Sequence, residues 1–321
     1  MSQLATVLCV SLAAATTLGS AAAAAELTAE KTDRGVTVKV DGKLFTEYLL
    51  KSGAKPILYP VLGPTGKPMT RDFPMKKGTP GERADHPHHR SFWFTHGDVN
   101  GTSFWHEGAG GGHINHREFV QVAGGRQAVI VTRNDWVDAQ GKKQCEDLTR
   151  ITFSAGEDSR TIDYEITITA APSSVKFGDT KEGTFGVRVA GDMKATSKKG
   201  GRIINSEGQT DGGTWGKPAA WVDYHGPVGG ERLGIAILNH PTSFRFPTHW
   251  HVRTYGLFAA NPFGLHDFPG GKDADGSHTL QPGESLTFRY RVLLHKGDEK
   301  QGRVAEAFAA YAKEKPPQAG K

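Results

Sequence analysis

Thr161-Ile162-Asp163-Tyr164-Glu165-Ile166-Thr167-Ile168-Thr169 decides the fold class. Its large apolar residues take every second position, and acids and threonines take the positions between. Side chains of an extended chain alternate between two faces, so this pattern buries one face and wets the other. A helix would need apolar spacings of three and four. Working outward, the same alternation runs through 284–294, with Leu286, Phe288, Tyr290, Val292 and Leu294 on one side. Residues 35–40 and 44–48 flank the turn Asp41-Gly42 and read as a hairpin. Shorter strands are expected at 57–62, 118–122, 128–133, 148–153, 184–189 and 233–238; in 184–189, Arg188 lies opposite Phe185, Val187 and Val189. Residues 205–224, rich in glycine, read as loop with short extended pieces. Only 298–313 carries a helical period, with Val304, Ala307, Phe308 and Tyr311 on one stripe. The expectation is an all-β fold: one large, mostly antiparallel β-sandwich over 26–314 with a C-terminal helix, then a disordered polar tail, 315–321.

Residues 1–25 read as a secretory signal, with an apolar run followed by the small residues Ala21–Ala25, although no Lys or Arg precedes the run. The mature chain is therefore expected in the periplasm or outside the cell. It would keep Cys145 alone, which rules out an internal disulfide. No other stretch approaches the roughly 20 apolar residues of a transmembrane helix, so no membrane span is expected in the mature chain. The formal charge of +5 is spread over short pairs such as Lys76-Lys77 and Lys198-Lys199. That pattern argues against a nucleic-acid partner, which needs a basic stripe. There is no Gly-x-Ser-x-Gly elbow and no phosphate-binding glycine loop between a strand and a helix.

Chemistry concentrates between Asp85 and Glu118, which hold seven of the 14 histidines: Asp85-His86-Pro87-His88-His89-Arg90, Trp93, His96, Trp105-His106-Glu107, His113 and His116. Packing so many imidazoles and acids gives little stability, because each buried polar group needs a partner. A second dense stretch is His249-Trp250-His251-Val252-Arg253-Thr254-Tyr255, which as a strand would place His249, His251, Arg253 and Tyr255 on one face. Sugar chemistry would use Glu182 or Glu107 as base, and His89, His249 or His251 as acid. Arg90, Trp93, His96, Trp105, Arg188, Asp223, Arg253, Tyr255 and Asn261 would then contact a small-molecule or oligosaccharide substrate. A transition metal, Zn, Cu or Fe, is the competing reading, with His86, His88, His89, His113 and His116 as ligands of an oxygenase or hydrolase. A third reading is a non-catalytic glycan-binding module with Trp93, Trp105, Trp215, Trp221 and Trp250 as a stacking platform.

The combination of 85–90, Gly97, Asn100-Gly101, Phe104-Trp105, Lys181-Glu182-Gly183, 221–224, Asn239-His240-Pro241, 250–256 and Asn261-Pro262-Phe263 resembles a family of secreted bacterial proteins. That family carries the name "methane oxygenase PmoA", or is described as a domain of unknown function. The name conflicts with the sequence, because the methane monooxygenase subunit so named is an integral membrane protein. The resemblance implies association with sugar catabolism and a sandwich of the galactose-mutarotase type. His86–His89 and His240-Pro241 are also similar to histidine motifs of aldose epimerases. Together these readings favour an exported enzyme using His and Glu acid–base chemistry on a sugar, of epimerase, lyase or hydrolase type.

Overall fold

The computed structural model describes residues 25–316. The expected signal segment, apart from Ala25, and residues 317–321 of the expected tail lie outside the described residues. One eight-stranded sheet runs in the order β1 (Leu27–Thr32), β2 (Gly35–Val40), β3 (Lys43–Ser52), β4 (Lys55–Val61), β5 (Phe92–His96), β11 (Gly183–Arg188), β16 (Leu257–Ala260), β15 (Trp250–Val252). The other runs β12 (Arg202–Asn205), β13 (Trp221–Val228), β14 (Glu231–Asn239), β18 (Ser285–Lys296), β9 (Ser159–Ala170), β8 (Lys143–Ala155), β7 (Ala128–Val137), β6 (His113–Ala123). A two-stranded ribbon pairs β10 (Val175–Phe177) with β17 (His278–Leu280). The fold is thus the expected all-β, antiparallel sandwich.

The deciding stretch forms β9, and its register on β18 sets Ile162 opposite Val292, Tyr164 opposite Tyr290, Ile166 opposite Phe288 and Ile168 opposite Leu286. Two apolar faces therefore coincide. They meet the inner face of the first sheet, where Phe185 stacks on Tyr290 at 4.6 Å and Phe94 lies 5.3 Å from Phe288. Each such side chain removed from water contributes about 1.5–3 kcal/mol, so this seam holds the two sheets together.

Three expectations need correction. The helix α1 spans only Val304–Tyr311 and packs Val304 and Tyr311 on Ala236, Leu238 and Leu293. Residues 298–303 form turns instead, ending at Arg303 with φ of 50°, outside the helical region. Residues 205–224 are, as expected, loop with short extended pieces, but their last four residues open the eight-residue strand β13. Finally, 250–257 is not one strand: β15 ends at Val252 and the chain turns through 253–256, where Gly256 takes φ of 103°, before β16 begins.

Candidate functional site on the outer face of the first sheet

On β5, Phe92 and Phe94 point into the core, so Trp93 points outward. Its ladder neighbours are Gly186, then Ala259, then His251, which makes one row across β5, β11, β16 and β15. The two middle positions are small, so the sheet surface between indole and imidazole is shallow. A Cβ on Gly186 would sit 2.6 Å from Cε2 and Cζ2 of Trp93, showing that the indole lies over the glycine. Above this row the loop 85–90 stacks a column of rings. His89 lies 5.5 Å from Trp93, His86 4.9 Å from His89, and Tyr255 5.5 Å from His86, all within 15° of parallel. Trp105 meets Trp93 and His89 edge-on at 5.3 and 5.5 Å. Arg253 then bridges the rings of Tyr255 and Trp215 at 5.6 and 5.3 Å, and Trp215 Nε1 donates to His251 Nδ1 at 3.3 Å. His249 stacks on Phe268 at 5.8 Å and closes the band.

Hydrogen bonds fix the imidazoles. Arg188 donates through Nη1 to His89 Nδ1 at 3.1 Å, so the proton of His89 sits on Nε2. Arg188 also donates through Nη2 to Asp85 Oδ1 at 3.1 Å, an atom that Arg71 reaches at 2.6 Å. Burial and the adjacent Arg188 drive His89 far below the usual histidine range. Burial, with His106 and the ammonium of Lys55 close by, lowers His88 to about 3. Burial with Arg253 and Lys181 does the same to His251, also to about 3. These rings are neutral at pH 7, so His89 and His251 can donate an N–H but do not serve as imidazolium acids. His249 is likewise lowered, by burial and then Arg245.

The carboxylates divide sharply. Glu107 takes Arg90 on both oxygens at 2.7–3.0 Å and Lys55 Nζ at 2.8 Å. Burial raises its proton affinity, but the Arg90 hydrogen bonds and Lys55 outweigh burial and leave it lowered. Glu107 and Arg90 thus tie the loop to Lys55 at the start of β4. Glu182 makes no side-chain hydrogen bond among the described residues, and its only charged contact is Lys181 Nζ at 3.6 Å. Its charge is felt at Tyr255, whose phenol burial raises while Arg188 and Arg253 lower it.

Other expected site residues lie elsewhere. His96 points to the opposite side of β5 from Trp93, against Phe177 and Phe263, with Nε2 on the Gly178 carbonyl at 2.8 Å. Asn261 donates to the Thr180 carbonyl and accepts from Phe263 N–H, which braces a turn. Asp223 is buried on β13, across the sandwich, between His225 Nδ1 at 2.6 Å and His295 Nε2 at 2.7 Å. His113 and His116 lie on β6, at the edge of the second sheet, where His116 bonds Thr132 Oγ1 at 2.8 Å. The five expected metal histidines therefore do not converge: His86 and His89 are stacked and His89 Nδ1 is held by Arg188. Among the described residues, the group with ligand atoms close enough for an ion is Asp223, His225 and Glu299. Trp250 is buried in the core with Nε1 on the Ala219 carbonyl, and Trp221 packs near α1, so the five tryptophans form no single platform. Arg71 escaped the sequence reading. It donates to the carbonyls of Phe73, His86 and His89 and shapes the histidine loop, and no spacing in its Gly/Pro-rich surroundings signals this.

The chain belongs to a family whose description is "Family of unknown function (DUF6807)", matched over residues 35–309. This bears out the domain-of-unknown-function part of the resemblance. No curated protein matches the chain. Among solved structures it is similar to the GH36 α-galactosidase AgaB of Geobacillus stearothermophilus, at 12% identity and TM-score 0.40, over 84% of this chain and 39% of that one. It is also similar to an α-galactosidase of Lactobacillus brevis, at 10% identity and TM-score 0.40, over 86% and 40%. A galactose mutarotase related enzyme of Lactobacillus acidophilus matches at 9% identity and TM-score 0.31, over 85% of this chain and 96% of that one. The chain spans about two fifths of the length of the α-galactosidases it matches.

Proposed function

We propose that this member of the family is an exported enzyme that moves a proton on a sugar or sugar derivative, with Glu182 as base and neutral His251 as the opposing N–H donor. The observation that carries the reading is the state of Glu182. It is a carboxylate only 22% exposed, without a side-chain hydrogen bond among the described residues and 3.6 Å from Lys181 Nζ, and its charge reaches Tyr255 of the band, while Asp85 and Glu107 are both engaged by arginines. A base must be unencumbered, and a sugar needs ring faces with planar donors beside them. Trp215, Tyr255 and Arg253 supply these at the exposed end of the band. His251 Nε2–H stabilises oxygen charge that develops as Glu182 withdraws a proton, because its Nδ1 is occupied by Trp215. Export rests on the character of residues 1–25.

The test is a panel of aldoses, uronates and disaccharides incubated with enzyme in D₂O and followed by NMR for deuterium entering ring carbons. Exchange or turnover in the wild type, lost in Glu182→Gln with sugar binding kept, supports the reading. Equal activity in Glu182→Gln removes it. The metal-dependent alternative draws on the Asp223–His225–Glu299 cluster, which lies across the sandwich from the band. Metal content per chain by elemental analysis, before and after His225→Ala, decides between the two.

A further inference from the structure

Charge is unevenly balanced at the Tyr255 end of the band. Arg71 and Arg188 share one carboxylate, Asp85, and both use its Oδ1. Arg253 has no carboxylate within ion-pair distance among the described residues, and its guanidinium lies between the rings of Trp215 and Tyr255. Lys194 lies over the same turn: a Cβ on Gly256 would sit 2.9 Å from its Cγ. Among the described residues its ammonium reaches only the Gly81 carbonyl, at 3.5 Å. Burial lowers Lys194, and Arg188 and Arg83 lower it further, so these cations repel one another. Glu82 is occupied by the backbone N–H groups of Asp72 and Phe73, Asp192 by Lys199, and Glu182 meets Lys181. Arg188 is 3% exposed, yet its Nε has no partner among the described residues. A fold does not ordinarily gather guanidinium and ammonium groups around one shared carboxylate and leave a buried N–H unmet. A bound anion would offset the excess charge, through charge-assisted bonds to Lys194 and Arg253 with Arg188 adding its field from behind the Tyr255 ring.

We propose that the cationic pole formed by Arg188, Lys194 and Arg253 around Tyr255 binds the anionic group of the substrate, a carboxylate or phosphate carried by a sugar. This rests on the reading of the band as a sugar site and narrows its substrate class to sugar acids or sugar phosphates. Next to Glu182, such a group would orient the ring so that one carbon faces the base.

The experiment is calorimetric titration of the full mature chain, and of Arg253→Gln and Lys194→Gln, with glucose, glucuronate, glucose 6-phosphate and inorganic phosphate. Circular dichroism confirms that each variant is folded. The expected result is glucuronate or glucose 6-phosphate binding about 10- to 100-fold more tightly than glucose, as one or two charge-assisted bonds would give. The advantage should fall in both variants and with added salt. Which of the two anionic sugars binds tells carboxylate from phosphate. Glucose binding as tightly as its anionic relatives would overturn the inference and leave the sugar reading standing. Inorganic phosphate bound at the pole without any sugar would uphold the anion site and remove the sugar reading. Anion binding undiminished in both variants, or no binding by any of the four, would overturn the inference.

Discussion

Glu107→Gln separates a structural carboxylate from a catalytic one. Lys55 is wholly buried and its ammonium meets Glu107 Oε1 at 2.8 Å; burial lowers it to about 8, with Glu107 holding it up and Arg90 pressing it further down. Breaking a buried pair usually costs about 3–5 kcal/mol because one charge is stranded. Lys55 has an escape, since it can shed its proton. At pH 7 it stands about one unit below its titration, and one unit corresponds to about 1.4 kcal/mol, so stranding the ammonium adds no more than that. Arg90, 16% exposed and still held by Ser52 Oγ at 3.2 Å, adds about 1 kcal/mol for its lost charged partner. The expected deficit is about 2–3 kcal/mol at pH 7, read by urea denaturation. Its sign with pH follows from linkage. The folded value of Lys55 lies below its unfolded value of about 10.4, so the unfolded state binds more protons between the two and stability rises with pH there. In Glu107→Gln the folded value falls further and the rise starts earlier. The deficit therefore shrinks as pH climbs toward about 8 and is level above it, leaving the Arg90 part. A deficit flat from pH 6.5 to 9, or lost turnover with stability unchanged, would refute the reasoning and return Glu107 to the role of base.

Two further changes test the frame around the site. Gly186→Ala forces a Cβ to within 2.6 Å of an indole boxed in by Trp105 and His89, which should cost about 1–3 kcal/mol and shift tryptophan fluorescence; an unchanged melting temperature would show that Trp93 can move aside. Asp147 is buried and raised to about 6 by that burial, against hydrogen bonds from Thr149, Trp136 and Asn134. Its folded value exceeds its unfolded value, so the native state holds the extra proton, and stability drops by about 3 kcal/mol as pH climbs from about 4 through about 6. Denaturation at pH 4.5, 5.5 and 7 should show that fall in the wild type and a flatter profile in Asp147→Asn, and equal slopes would contradict it.

The sequence by itself determined the alternating strands. Alternation in 161–169 and 284–294 requires one wet and one dry face in each strand; that β9 and β18 are neighbours, and in which of the registers alternation allows, came from the folded chain. The sequence also marked His89, Arg188, His251 and Arg253 as unusual, because polar groups set among aromatic residues need partners. The tertiary structure decided which of them meet. His96 lies three residues from Trp93, and the period of two sends it to the other face of the same strand. Asp223 and the pair His113 and His116 belong to the opposite sheet, a separation set by chain connections that no local spacing records. The breaks at Val252 and Arg303 depended on single turn conformations within otherwise persuasive periodicities. The protonation of the histidines was likewise a property of the folded state, because burial and neighbouring cations come from residues far apart in the chain, such as Arg188 beside His89.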